Sequence, residues 1–153
     1  MATRKKQSEL KQQVAAAFTA CQEKKAERIS ILQLDKAHGG FTDYFLICSG
    51  SNPRQIQAIS DEVEQRLSKT TGARPAHIEG YTQAEWVLLD YVDFVVHVFS
   101  EKARQFYDLE RLWKSAKRLE LSDLKSGVTR KRAVTPRPAA SPRKTRARKT
   151  PAS

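Results

Sequence analysis

The sequence predicts an α/β protein, a mixed β-sheet with flanking helices followed by a disordered basic tail. Two observations predict the folded part. Short apolar segments alternate with amphipathic ones from residue 8 to residue 119, and a strand–helix–strand crossover lies between residues 43 and 99. In a chain of 153 residues such a crossover needs a sheet with helices packed against it. A third observation predicts the tail: residues 125–153 are rich in Pro, Ala, Lys and Arg, with almost nothing to bury.

The elements follow in order. Leu10, Val14, Ala17, Phe18 and Cys21 fall on one face of a helix over residues 8–24. RISILQL (28–34) is short, branched and strand-like, and AHGG (37–40) is loop. DYFLICSG (43–50) is a second strand. In SNPRQIQAISDEVEQRL, Asn52 suits the N-cap, Pro53 the first helical position and Gln55 the far half of a capping box. Ile56, Ile59, Val63 and Leu67 supply that helix with its buried stripe, and Gly72 ends it. RPAHIEG (74–80) is a short edge strand, because Pro75 argues against a central place. AEWVLLDYVDFVVHVF (84–99) gives two strands, Ser100 caps a helix over 101–119, and Gly127 begins the tail. The organisation expected is a flexible N-terminus (1–7), a folded domain (8–124) and a tail (125–153).

Charge divides the chain in the same way. The net charge is +11. Residues 125–153 hold ten basic and no acidic side chains, while residues 29–124 hold eleven basic and fourteen acidic ones. The tail therefore suits a nucleic-acid phosphate backbone, and the mildly acidic body need not bind nucleic acid at all. Cys21 and Cys48 are too few for a disulfide framework and point to a reducing compartment. No run of about 18 apolar residues is present to span a membrane. MATRKKQSEL lacks the apolar stretch of a secretory signal and soon turns acidic, which argues against a transit peptide. A cytoplasmic protein is expected.

The polar residues inside the segment 84–99 invite a catalytic reading. A hairpin turning at Tyr91 and Val92 sets Trp86 opposite His97, Leu88 opposite Val95 and Asp90 opposite Asp93, all on one side. Val87, Leu89, Phe94, Val96 and Val98 occupy the other side, which is wholly apolar and core. Asp90 and Asp93 then read as turn formers, and His97 as a hydrogen-bonded sheet residue. The histidines and cysteines show no zinc spacing, and no metal or cofactor is expected. Gly50-Ser51 ahead of a helix start resembles the phosphate-binding opening of nucleotidyltransferases. Those enzymes also need a pair of metal-binding carboxylates on a neighbouring strand. Here the candidates are Asp90 with Asp93 at a turn, or Glu79 alone. On a continuous helix over 101–119, Phe106, Leu109, Leu112, Trp113 and Ala116 form the buried arc. Tyr107 then sits among Arg104, Arg111 and Lys114 on the solvent side, as a contact anchor or a plain exposed tyrosine.

Four blocks, ERISILQL, DYFLICSGSNPRQIQAISDEV, EG followed by AEWVLLDYVDFVVHVF, and the R-x-x-YDLERLW segment, together resemble the ribosomal silencing factor (iojap-like) family over residues 8–119. The resemblance implies a nucleotidyltransferase-like sheet without transferase activity. It also implies binding to a large-subunit ribosomal protein (L fourteen), which blocks subunit joining and lowers translation when nutrients are short. The family's contact tryptophan and tyrosine correspond to Trp86 and Tyr107. Leu88, Arg104 and Glu110 are added as their neighbours, and Arg130, Lys131, Arg132, Arg143 and Lys144 as rRNA contacts of the tail. Val92 departs from the family, which usually has glycine at this place in the hairpin. The long basic tail is a second departure. Two rival expectations are a nucleotidyltransferase-like enzyme and a general RNA-binding protein acting through its tail.

Overall fold

The computed structural model describes residues 2–34 and 42–126. In chain order its elements are α1 (Ala2–Glu23), β1 (Glu27–Gln33), β2 (Tyr44–Gly50), α2 (Pro53–Thr71), β3 (His77–Glu79), β4 (Trp86–Asp90), β5 (Phe94–Ser100), α3 (Glu101–Tyr107), α4 (Leu109–Leu112), β6 (Lys117–Leu119) and α5 (Leu121–Ser126). The six strands form one sheet in the order β3-β4-β5-β2-β1-β6. The central β2–β5 pair is parallel, and β1–β2, β1–β6, β3–β4 and β4–β5 are antiparallel. The crossover needed to make β2 and β5 parallel contains α2.

Local chemistry explains several borders. Asn52 accepts a hydrogen bond from the Gln55 N–H at 2.8 Å, and Pro53 follows at the first helical position. The Gln55 side chain reaches back to the Ser51 N–H at 2.6 Å, one residue earlier than in a capping box. At the far end Gly72 takes φ +76°, and its N–H donates to the Ser68 carbonyl. The expected edge strand is β3, at one margin of the sheet. The first helix begins at Ala2, ahead of the expected residue 8, because residues 2–7 hold no helix breaker and are mostly good helix formers.

The sheet has two unlike faces. On the first, Ile31, Leu46, Cys48, Val87, Leu89, Val96 and Val98 meet Leu10, Val14, Ala17 and Cys21 of α1 and Ile56, Ile59, Val63 and Leu67 of α2. Leu124 of α5 closes one side of this core. On the second face, Leu32, Phe45, Ile47, Val95 and Phe99 pack with Ala103, Leu109, Trp113 and Ala116.

Two expectations need correction. The hairpin is displaced by two residues: Trp86 lies opposite Phe99, Leu88 opposite His97 and Asp90 opposite Val95. The chain reverses at Val92–Asp93, where the Asp93 N–H donates to the Tyr91 carbonyl at 2.8 Å and Val92 adopts φ +73°. Asp90 accepts the Val92 N–H at 2.8 Å, and Thr42 donates to the Val92 carbonyl at 2.8 Å. Those bonds favour this turn even though it places a β-branched residue in the left-handed region. A two-residue shift preserves which side each residue faces, so the assignment of faces stands.

The helix expected over 101–119 breaks at Asp108 (φ +47°, ψ 57°), giving α3 and α4. β6 then adds to β1, and α5 returns to the first face. The expected buried arc therefore divides. Leu109, Trp113 and Ala116 pack on the sheet, whereas Phe106 is 79% exposed and Leu112 72%. The loop AHGG and tail residues Arg130, Lys131, Arg132, Arg143 and Lys144 lie outside the described residues. Among the described residues no helix is long and apolar enough to cross a membrane.

Candidate functional site

Side-chain alternation along β4 and β5 sends Trp86, Leu88, His97 and Phe99 to the second face. The short α3 covers only part of that face, and its last residue, Tyr107, lies over Trp86 with ring centroids 4.5 Å apart. Trp86 also stacks on Phe99 at 5.0 Å. Phe106 meets Tyr107 edge-on at 5.0 Å, so a strip of aromatic rings climbs from the core to the surface. Trp86 and Leu88 are half-buried, while Tyr107 is 48% exposed. An apolar patch with partly accessible Trp and Tyr is the composition that protein interfaces favour at their centres.

Beneath the strip, His97 holds Trp86 in place. The Trp86 Nε1–H donates to His97 Nδ1 at 3.0 Å, which puts the histidine's own proton on Nε2. Phe45 stands edge-to-face to the imidazole at 4.5 Å. Burial pushes the His97 pKa down to about 3, so the ring is neutral at ordinary pH. It orients the indole, and its burial does not suit the exchange of protons with a substrate.

Arg104 is not on the solvent side with Tyr107, as the continuous helix implied. It is 4% exposed and spans the break in the helix to Glu110, with Nε to Oε1 at 3.2 Å and Nη2 to Oε2 at 2.8 Å. Its guanidinium also donates to Ser49 Oγ (3.0 Å), Ser30 Oγ (3.2 Å) and the Glu27 carbonyl (3.4 Å). Ser30 in turn donates to Glu110 Oε2 at 2.7 Å, and Arg118 reaches the same oxygen at 3.3 Å. Burial alone would raise the Glu110 carboxyl pKa. The hydrogen bonds from Arg104 and Ser30, with the charges of Arg104 and Arg118, outweigh it and hold the pKa below the usual carboxylate range. Sequence reasoning missed this network because its serines come from strands more than fifty residues away.

The phosphate-site features have structural uses. A side chain at Gly50 would place its Cβ 2.7 Å from Ile56 Cγ1, so this glycine lets α2 sit close against β2. At the start of α2 the N–H groups of Ser51 and Gln55 are already bonded by side chains. Asp90 is engaged in the hairpin turn. Among the described residues no group of three or more His, Cys, Asp or Glu side chains is placed to hold a metal ion.

Comparison with known proteins gives the family. The family described as "Ribosomal silencing factor during starvation" matches residues 7–149. A protein of Halalkalibacterium halodurans named ribosomal silencing factor RsfS is 42% identical over 105 residues, covering 69% of this chain and 88% of the relative. The protein of that name from Bacillus subtilis is 40% identical over 112 residues, covering 73% and 91%. The crystal structure of a protein from Chromobacterium violaceum matches with a TM-score of 0.63 at 31% identity, covering 67% of this chain and 84% of that one. More distantly, a mouse protein named mitochondrial assembly of ribosomal large subunit protein 1 is 31% identical over 75 residues, covering 48% of this chain and 33% of the mouse protein.

Proposed function

The chain belongs to the ribosomal silencing factor family, and on that premise we propose that it binds the large ribosomal subunit through ribosomal protein L fourteen. Bound there, it blocks joining of the small subunit and represses translation when nutrients are short or in stationary phase. The observation that supports this most is the Trp86–Tyr107 pair, two rings 4.5 Å apart on the incompletely covered face of the sheet. Leu88 extends the same apolar surface. The name of the mouse relative, which refers to the large ribosomal subunit, supports the choice of subunit.

The mechanism is steric and needs no chemical step. A folded body seated on the joining surface of the large subunit occupies space the small subunit must enter. Apolar rings provide the anchor, and the mildly acidic body complements a basic ribosomal protein. The tail, through Arg130, Lys131, Arg132, Arg143 and Lys144, neutralises nearby rRNA phosphates and adds a salt-sensitive share of affinity. On this reading the protein is cytoplasmic, acts as a monomer or weak dimer, and uses neither cofactor nor catalysis.

Gradient sedimentation with separated subunits tests the proposal. The protein should travel with the large subunit in the presence of excess bulk RNA, and free small subunits should persist when it is added. Deleting residues 127–153 should weaken binding and flatten its salt dependence without abolishing it. If the tail alone kept full affinity, or bulk RNA competed the protein away, it would be a general RNA binder and docking by the body would be excluded.

A further inference from the structure

Arg104 and Glu110 stand on either side of the elbow at Asp108, six residues apart. On an unbroken helix, positions six apart lie about 120° apart around the axis and about 9 Å apart along it, too far round to grip each other. The two-point contact of Arg104 with Glu110 therefore requires the break. The break itself needs holding, because a left-handed conformation at a non-glycine residue costs roughly 1–2 kcal/mol. The same guanidinium is tied to Ser49 on β2 and to Ser30 and Glu27 on β1, so the elbow is fixed to the middle of the sheet. Replacing a buried ion pair with apolar side chains is often neutral or stabilising, so stability alone does not explain keeping this one. What it does fix is direction. Tyr107 is the last residue before the elbow, and its ring lies on Trp86.

We propose that Arg104 and Glu110 form a clamp that positions Tyr107: by closing across the Asp108 elbow they lay the tyrosine ring against Trp86, and they do not themselves touch the ribosomal partner. The binding consequence rests on the docking reading above. The placement of Tyr107 does not.

The test uses the full chain and two readouts. One is the set of NMR cross-relaxation peaks between the Trp86 indole and the Tyr107 ring in the free protein. The other is affinity for purified large subunits. Glu110→Gln keeps the shape of the clamp and removes its charge. Asp108→Pro keeps both clamp residues but cannot adopt φ +47°, so they can no longer meet, and Asp108→Gly adopts it freely. Wild type and Asp108→Gly should show the ring-to-ring peaks and bind alike. Glu110→Gln and Asp108→Pro should keep the amide pattern of the sheet, lose those peaks and bind about tenfold or more weakly, ~1.4 kcal/mol.

Should Glu110→Gln fail to fold, the double variant Arg104→Met, Glu110→Gln decides the matter, since it removes both charges of the pair and leaves neither buried alone; it too should lose the peaks. Persistence of the peaks at wild-type strength in the folded variants would overturn the clamp. Loss of the peaks with unchanged affinity would overturn its role in docking. If wild type itself does not bind large subunits, the docking reading fails while the peaks still judge the clamp.

Discussion

The two faces of the sheet are built from alternate residues of the same strands, yet they come to opposite ends. Leu46, Val87, Leu89, Val96 and Val98 point to one side and lie under helices of 22 and 19 residues. Phe45, Trp86, Leu88, His97 and Phe99 point to the other, covered by helices of only seven and four. The first side becomes a closed aliphatic core. On the second, rings stack outward until Tyr107 and Phe106 reach solvent. The amount of helix laid over each side decides which residues are sealed into the core and which reach solvent.

The largest effect on stability is expected on the closed side. Leu46→Ala should cost about 2–5 kcal/mol in denaturant unfolding, as for other fully buried leucines. Large-subunit binding, measured well below the melting temperature, should not change. Loss of binding by a variant shown to be folded would mean that the two faces are not separable.

On the open side the largest effect is a dependence on pH. His97 is neutral and buried in the fold, with a pKa near 3, against 6.5 when unfolded. Its folded pKa is lowered, so above pH 6.5 neither state takes up the proton and the fold keeps its full stability. Below 6.5 the unfolded chain is protonated first, and stability falls until the folded pKa is reached near 3. Denaturation at stepped pH should show a slope approaching ~1.4 kcal/mol per pH unit from this group. His97→Gln should flatten that slope, and an unchanged profile would show that His97 is not buried and neutral.

A smaller effect is expected where the two sides share a strand. Trp86→Phe keeps the ring stack but leaves His97 Nδ1 without its donor, at about 1–3 kcal/mol in thermal or chemical unfolding. The smallest is at the hairpin tip. Val92 is 64% exposed at φ +73°, so Val92→Gly should relieve strain and stabilise by about 0.5–1 kcal/mol without touching binding. Destabilisation there would imply that the tip is held by more than its turn bonds.

Residues that act locally were legible in the sequence. Asn52, Pro53 and Gly72 announce the ends of α2, and alternation announces which hairpin residues share a side. Register was less legible, because moving the pairing by two leaves every residue on its own side, and bonds made at the turn, those of Asp90 and Thr42 among them, favour one of the two. The elbow could not be read. Phe106, Leu109, Leu112 and Trp113 keep a helical spacing through Asp108, so the apolar pattern gives no sign of a break. On the proposed clamp that break is held through Arg104, whose bonds to Ser30 and Ser49 exist only once the sheet has formed. Of the expected contact residues, Trp86, Leu88 and Tyr107 lie together on the open face, while Arg104 is buried beside it with Glu110.

The central claim is that the open face is the docking surface, and the most direct measurement is co-sedimentation of the double variant Trp86→Ala, Tyr107→Ala with large subunits. Circular dichroism and the sheet amide spectrum establish beforehand that it is folded. The folded variant should stay at the top of the gradient and no longer keep small subunits from joining, while Leu46→Ala still travels with the large subunit. A folded double variant that co-sediments as wild type does would contradict that claim.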